Sequence, residues 1–462
     1  MSVVMGVVGL LLALGLLILL AYKGHSVIVI APLVAVVAIV FGSGFQSHIM
    51  ANYTEVYMVG FASYVKNYFP LYLFGAIFAK LMEVTGNANT IANVIANKLG
   101  KKNAVLAVVL ACAILTYGGV SLFVVTFAIL PIAVKLFRDA DIPKRLIPGC
   151  IALGAFTFTM TALPGSPQVQ NSIPMTYFGT DSFAAPVLGC IAAAIMFTLG
   201  MMWLNKRTAQ ARKAGEGYGE YEDDLTIVDD NNLPGLLVSV IPLLLILFVN
   251  LLCSKVIYPG SDAQYISQFA TTLSKVMGNW SVLIGLLVSI LFMIILNFKK
   301  LIHLKEDLKK AAGNSVMPLI NSCAVVGFGS VIKGLAVFSI IQTFVLGISS
   351  NPLISEFIAV NLLCGITASA SGGLGTTLEA LAPTYLSMGA QMGISPAVLH
   401  RIASVSAGGL DSLPHNGATV TTLSLCGMTH KEAYKDMFVC SVLIPIFAGF
   451  VIVILASLGL SC

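Results

Sequence analysis

Charged side chains are scarce in this 462-residue chain: Asp, Glu, Lys and Arg make up 10%, against about a quarter in a soluble domain. So few charges cannot coat a water-soluble globule of this size. Motifs of nucleotide-driven pumps and hydrolases are missing as well. There is no Walker motif, so ATP is not the driving force, and no metalloprotease or paired intramembrane aspartate pattern. The nine cysteines form no CxxC pair; they read as small hydrophobes inside helices, not as a metal cluster or a disulfide scaffold. A net charge of +5, without a concentrated basic patch, gives no footing for nucleic acid. The first span lacks a basic n-region and a small-residue cleavage site, so a retained helix is expected and not a signal peptide. No cofactor and no metal site is expected.

Apolar side chains are abundant, at 58% with a mean hydropathy of +0.94. The expected class is an all-α polytopic membrane protein. In lipid each backbone polar group must be paired internally, so long apolar runs are helices. Runs near span length cover 2–22, 26–42, 64–84, 145–175 (interrupted), 183–204, 234–252, 279–298, 316–333, 396–427 (interrupted) and 436–459, about ten crossings. Two further runs, 104–137 and 356–390, have Gly/Ser/Thr-rich centres, Thr116 to Ser121 and Ser369 to Thr377. Each is expected to be a re-entrant hairpin and not two more full crossings, because its arms look short for a crossing.

Charge orients the chain. With the amino terminus outside and each hairpin returning to its own side, 20 of the 25 Lys and Arg fall inside, and only Lys66, Lys255, Lys275, Lys333 and Arg401 outside. That is a strong positive-inside bias. The polar, acidic stretch 205–233 reads as a cytoplasmic linker between repeats 1–204 and 234–462. Lys80 and Lys333, the Gly pairs 118–119 and 372–373, and Pro164 and Pro414 lie 253, 254 and 250 residues apart. Near-constant offsets suggest a duplicated unit. Five crossings per half would make the second copy inverted, with both termini outside.

Inverted repeats with broken helices are the architecture of secondary transporters, with the site near the midplane. Freed N–H groups at half-helix starts suit a carboxylate, freed carbonyls suit a cation, and neutral hydroxyls and amides add hydrogen bonds without a fixed buried charge. The candidate substrate residues are Thr116, Gly118, Gly119 and Ser121 at the first tip, and Thr161, Gly165, Ser166, Gln168 and Asn171 at the first break. At the second tip they are Ser371, Gly372, Gly373, Thr376 and Thr377, and at the second break Ser412, Asn416 and Thr419. Tyr117 is a candidate cover over the substrate, or else packing.

Ionisable residues in apolar spans are functional candidates by default. Asp411, with His415 one turn on, could form a proton site; the plainer alternative is a helix cap and a structural donor. Glu379 could pair with Arg401 or sit at the hairpin edge. Lys80 and Lys333 are expected to snorkel at opposite interfaces. Ser330 to Lys333 matches SxxK without a partner motif, and carries little.

The stretches GAFTFTMTALPGSPQVQNSIPMTYFGTD (154–181) and SASGGLGTTLEALAP (369–383), together with SAGGLDSLPHNGATVTTLSLCGMTHKEAYKD (406–436), resemble the gluconate permease (GntP) family of the ion transporter superfamily, and most closely its D-β-hydroxybutyrate permease branch. The chain departs from gluconate permeases over Ala162 to Gln168, which favours a smaller, less hydroxylated acid. The resemblance implies proton- or sodium-coupled uptake across a bacterial inner membrane and a homodimer with a moving transport domain. The expected function is therefore ion-coupled, proton-favoured symport of a small hydroxy-monocarboxylate such as 3-hydroxybutyrate, not enzymatic catalysis. A sugar-acid permease, a di- or tricarboxylate carrier and a cation/proton antiporter are the alternatives within transport. A channel, or an intramembrane enzyme built on Ser412 and His415, would be a different class.

Overall fold

A computed structural model of the chain describes residues 3–23, 25–43, 48–221, 233–298, 300–335, 349–414 and 416–461. Among them every regular element is a helix, as a backbone without water to pair with requires. Val3–Tyr22 and Val27–Ser43 pack side by side and lead into one long helix, Ile49–Val84, which begins well before the span expected at 64–84. It ends where the Thr85 hydroxyl donates back to Leu81 O at 2.6 Å. The chain then turns by 62° into Asn87–Leu99, a helix that the apolar runs do not mark. Its buried stripe is Ala88, Ile91, Ala92 and Ala96, too small in volume to register as an apolar run.

The first hairpin follows, Ala104–Tyr117 and Leu122–Asp139, with arms of 14 and 18 residues. Next comes a helix in three pieces, Ile147–Ala155, Phe158–Thr161 and Val169–Phe178. The irregular stretch 162–168 between the last two holds Pro164 and Pro167, and each proline withholds an N–H and crowds the preceding turn. Pro186–Lys213 closes this half. It remains helical through residues 205–213, which composition assigns to the linker. Of that linker, 222–232 lies outside the described residues.

From Leu236 a similar order of elements is met. Leu236–Ile257 and Leu273–Asn297 pack side by side, and Leu304–Gly334 is long. Pro352–Thr367 and Ala370–Gln391 form the second hairpin. Pro396–Ala407 and Gly417–Leu425 flank an irregular stretch, and His430–Ser457 is the last long helix. The second hairpin's arms have 16 and 22 residues. At 1.5 Å per residue the longer reaches about 33 Å, enough to cross a bilayer. Shortness, expected of all four arms, therefore holds only for the arms of 14 and 16 residues.

The two long helices Ile49–Val84 and Leu304–Gly334 pack against each other at the centre, and each also packs on a helix of the opposite pair, Leu273–Asn297 and Val27–Ser43 respectively. Among the described residues five helices are long and apolar enough to cross a membrane, six if the bent pair at Thr85 counts as one span. Leu237, Ile295, Phe298 and Ile302 are 78, 74, 73 and 82% exposed; apolar surface of this kind belongs against lipid. All described cysteines but Cys190 are buried.

Candidate functional site

The two broken helices meet at their interruptions. Gly408 approaches Thr161 so closely that a Cβ there would come 2.9 Å from Thr161 Cγ2. Ser404 Oγ donates to Thr161 O at 2.7 Å. Each half-helix beyond a break packs on the other half's hairpin: Val169–Phe178 on Ala370–Gln391, and Gly417–Leu425 on Leu122–Asp139. The structure thus gathers all four elements expected to form the site.

A side-chain amide ties each break to its own tip. Gln168 Nε2 donates to Thr116 O at 2.7 Å, and Asn416 Nδ2 donates to Ala368 O at 2.8 Å. Asn416 also caps the following half-helix, its Oδ1 accepting from the backbone N–H groups of Ala418 and Thr419 at 2.7 and 3.0 Å. Gly119 turns the first tip at φ 94°, a conformation side chains resist. Beside it Gly118 abuts Leu243, while Ser121 begins the second arm. The Tyr117 hydroxyl donates to Pro164 O at 2.7 Å, which ties the first tip to the first break.

The centre of the first break is Arg401, which the positive-inside count places on the outer surface. It is fully buried. Its Nε and Nη2 donate to Ala184 O at 3.0 and 2.7 Å, Nη1 donates to Asn171 Oδ1 at 3.0 Å and Thr161 O at 3.5 Å, and Nη2 also reaches Ser182 O at 3.4 Å. These five contacts match the five N–H bonds of a guanidinium. Among the described residues no carboxylate lies within ion-pair distance. Asn171 is the second hub, its Nδ2 donating to Ser166 O and Ser182 O, both at 2.9 Å. Because that amide nitrogen is spent, Asn171 Oδ1 is the acceptor facing His400 Nε2 at 3.2 Å. In the neutral ring Nε2 then carries the hydrogen, and Nδ1 accepts from Thr180 Oγ1 at 2.6 Å. Gly165 N donates to Ser182 O at 2.8 Å.

Most candidate hydroxyls are already spent on backbone carbonyls. Thr161 donates to Thr157 O, Ser166 to Thr159 O, Thr376 to Val325 O, Thr377 to Gly373 O and Thr419 to Ser412 O. Ser371 Oγ lies 2.9 Å from Ser322 Oγ, while Gly372 N donates to Ser369 Oγ. Gly373 packs tightly on the Cys364 backbone. The Thr116 hydroxyl is buried without a partner.

Of the ion-coupling candidates, Asp411 takes a hydrogen bond from the neighbouring Ser412 Oγ at 3.1 Å, and His415 lies outside the described residues. Glu379 does not meet Arg401. Its Oε2 accepts from Tyr177 at 3.2 Å, and Lys333 Nζ donates to its backbone carbonyl at 2.9 Å. Lys333 is thus engaged at the hairpin, and Lys80 pairs with Glu83 at 2.7 Å. Two intramembrane ionisable residues escape a reading by apolar runs, Arg401 and Glu356. Both sit within five residues of a run's edge, where a shifted boundary makes them look like loop residues; the rule that buried charges are functional would otherwise flag them.

A cavity of about 350 Å³ is lined by residues including Thr180, Asp181, Ala184, Lys255 and Met277. Asp181 pairs with the half-exposed Lys255 at 2.6 Å. None of the expected site residues lines it, but Thr180 and Ala184, on its wall, hold His400 and Arg401. Elsewhere, Asp436 takes Arg145 at 3.2 Å, Arg207 at 2.8 Å and Trp203 Nε1 at 3.0 Å, and Arg145 also holds Glu216 at 2.6 Å. The Arg145 guanidinium keeps the Glu216 carboxyl below its usual range.

The sequence matches the model of the family described as GntP family permease over residues 5–459. It is 40% identical over 465 aligned positions to the uncharacterized transporter YxjC of Bacillus subtilis, covering 97% of this chain and 98% of that one. An uncharacterized transporter of Haemophilus influenzae is 25% identical, with 82% of each chain covered. In fold, the chain is similar to the crystal structure of the Alcanivorax borkumensis YdaH transporter, with a TM-score of 0.59, 13% identity, and 91% and 92% of the two chains covered.

Proposed function

The chain belongs to the GntP family of permeases, and for it we propose ion-coupled uptake of a small hydroxy-monocarboxylate such as 3-hydroxybutyrate, bound where the two breaks meet. The protein is a multi-pass membrane transporter of the gluconate permease type, not an enzyme. The observation that carries the substrate class is Arg401, a buried positive charge held by carbonyls and one amide, with no carboxylate partner among the described residues. Its N–H groups are all engaged, so it acts on a bound anion through its field, which a low-dielectric surround transmits well. The N–H groups at the start of Val169–Phe178, which no side chain caps, supply the direct contacts.

A small acid suits the site better than a sugar acid. A polyhydroxylated chain needs many free polar partners, and the hydroxyls of Thr161, Ser166, Thr376, Thr377 and Thr419 are bonded to the protein's own backbone. Asp411 with His415 carries or tunes the coupling proton. The two halves are inverted copies of one unit, a reading supported by the matching amides Gln168 and Asn416 and by the reciprocal packing of half-helices on hairpins. About ten crossings, an external amino terminus, a cytoplasmic 205–233 segment, a bacterial inner-membrane location and a homodimer complete the proposal.

Counterflow in proteoliposomes with a panel of labelled hydroxy acids, with and without a sodium gradient, tests it. Exchange of 3-hydroxybutyrate in preference to gluconate, insensitive to sodium, is expected. Preference for gluconate or a dicarboxylate would overturn the assignment of the acid.

A further inference from the structure

The second hairpin holds a carboxylate outside the network of the two breaks. Glu356, in the first arm Pro352–Thr367, is fully buried. Neither carboxylate oxygen has a hydrogen-bond partner among the described residues. An ionised, unpaired carboxylate in such a place costs far more than a neutral acid, so the site is chemically suited to holding a proton.

Among the described residues its surroundings offer no counter-charge. The first arm packs on Ala370–Gln391, Pro396–Ala407, His430–Ser457 and Val3–Tyr22. From Ala370–Gln391 the titratable group facing Glu356 is Tyr385, itself buried; Glu379 is engaged by Lys333 and Tyr177. From Pro396–Ala407, His400 and Arg401 turn to the first break. The packed segment Ile444–Ser457 contains no acidic or basic residue, and neither does Val3–Tyr22. Further along the same arm, Asn361 Oδ1 lies against Gly409 without a donor, and Gly365 packs on Leu410 beside Asp411. One helix therefore links the buried carboxylate to the second break.

We propose that Glu356 is a proton-binding site, and that the hairpin arm seats against its neighbours only with this proton bound. A proton held in one conformation and released in another couples the pH gradient to the conformational cycle. The inference rests on the transport reading above, and places a second titrating carboxylate in series with Asp411.

Two measurements on the full-length protein test it. In infrared titration of the reconstituted transporter, the wild type and Asp411→Asn should show a protonated-carboxyl C=O band at neutral pH that Glu356→Gln lacks. This arm needs no substrate, so it decides the proton site even if wild type exchanges none of the acids tested. In proteoliposomes Glu356→Gln should retain counterflow and lose pH-driven accumulation, while Glu356→Asp recovers part of it. If the amide variant misfolds, Glu356→Met fills similar space without titrating and takes its place. An unchanged infrared band in the variant overturns the proposal. So does wild-type accumulation by the variant, or a Glu356 ionised at neutral pH with sodium alone setting transport.

Discussion

The two breaks interrupt their helices in similar ways but are held very differently. The first is wired throughout: Arg401, Asn171, Ser404 and Tyr117 bond its backbone or its flanks, and Gln168 ties it to the first tip. Among the described residues the second is tied by fewer contacts from distant segments, though Asn416 bonds Ala368 O and caps Gly417–Leu425. Its carbonyls take Thr419 and Tyr434 at Ser412 and His430 at Pro414, and Asp411 bonds only its neighbour Ser412 among the described contacts. A network satisfied at every atom is rigid and specifies one geometry. A break with few cross-links costs less to rearrange. For the proposed site we infer that the first break is the fixed half and the second the half that rearranges.

Arg401 should break this contrast most completely. Replacing it with methionine strips Ala184 O of both its donors and leaves Asn171 and Thr161 short of one each. A loss of about 3 kcal/mol or more is expected, from unsatisfied carbonyls and an imperfectly filled cavity. Arg401→Lys should stay well below wild type, since an ammonium cannot reproduce the planar fork. Thermal unfolding in detergent reads both variants, and a lysine variant as stable as wild type would remove the wiring argument. Asp411→Asn should do the opposite. It leaves unfolding close to wild type but abolishes pH-driven accumulation, because an amide takes no proton; intact accumulation would discard the coupling role.

This asymmetry is only partly legible in the sequence. Proline and glycine mark both breaks and both tips, because they act on the backbone wherever they stand. That polar side chains gather around the breaks and tips can be read too, since Asn, Gln, Ser and Thr within apolar runs need polar partners that lipid cannot supply. What each side chain bonds is not legible. Asn171 and Gln168, expected as ligands of an anion, serve the protein's own backbone. Arg401 is misplaced by the positive-inside count because that count assigns every basic residue to a surface, whereas five carbonyl and amide contacts from distant segments can solvate one in the interior. Such contacts join residues more than 200 positions apart, and no local pattern encodes them.

The two tip-to-break amides give a finer comparison. Gln168→Ala removes hydrogen bonding to the first tip, worth about 1 kcal/mol. Asn416→Ala removes the equivalent bond and also a helix cap, which adds about 1 kcal/mol. The asparagine variant should therefore lose more stability, despite lying in the looser break. Equal losses in thermal unfolding would mean that the cap contributes nothing there.

The smallest effect belongs to the ion-pair cluster that joins the entrance of the first broken helix, at Arg145, to the helix after the second break, at Asp436. Arg145 lowers the Glu216 carboxyl below its ordinary value of 4.5. A depressed carboxylate contributes stability that is complete above that ordinary value and fades as pH falls through the lower folded-state value. Glu216 is 42% exposed, so water and salt screen the pair, and Glu216→Gln should cost less than about 1 kcal/mol at neutral pH. The variant's deficit should shrink toward zero in acid and in high salt, while Asp436, buried and bonded by two arginines, should show the larger loss when changed to Asn. A deficit for Glu216→Gln that grows as pH falls would reverse the sign of the linkage and remove this clamp from the account of how the two breaks are held together.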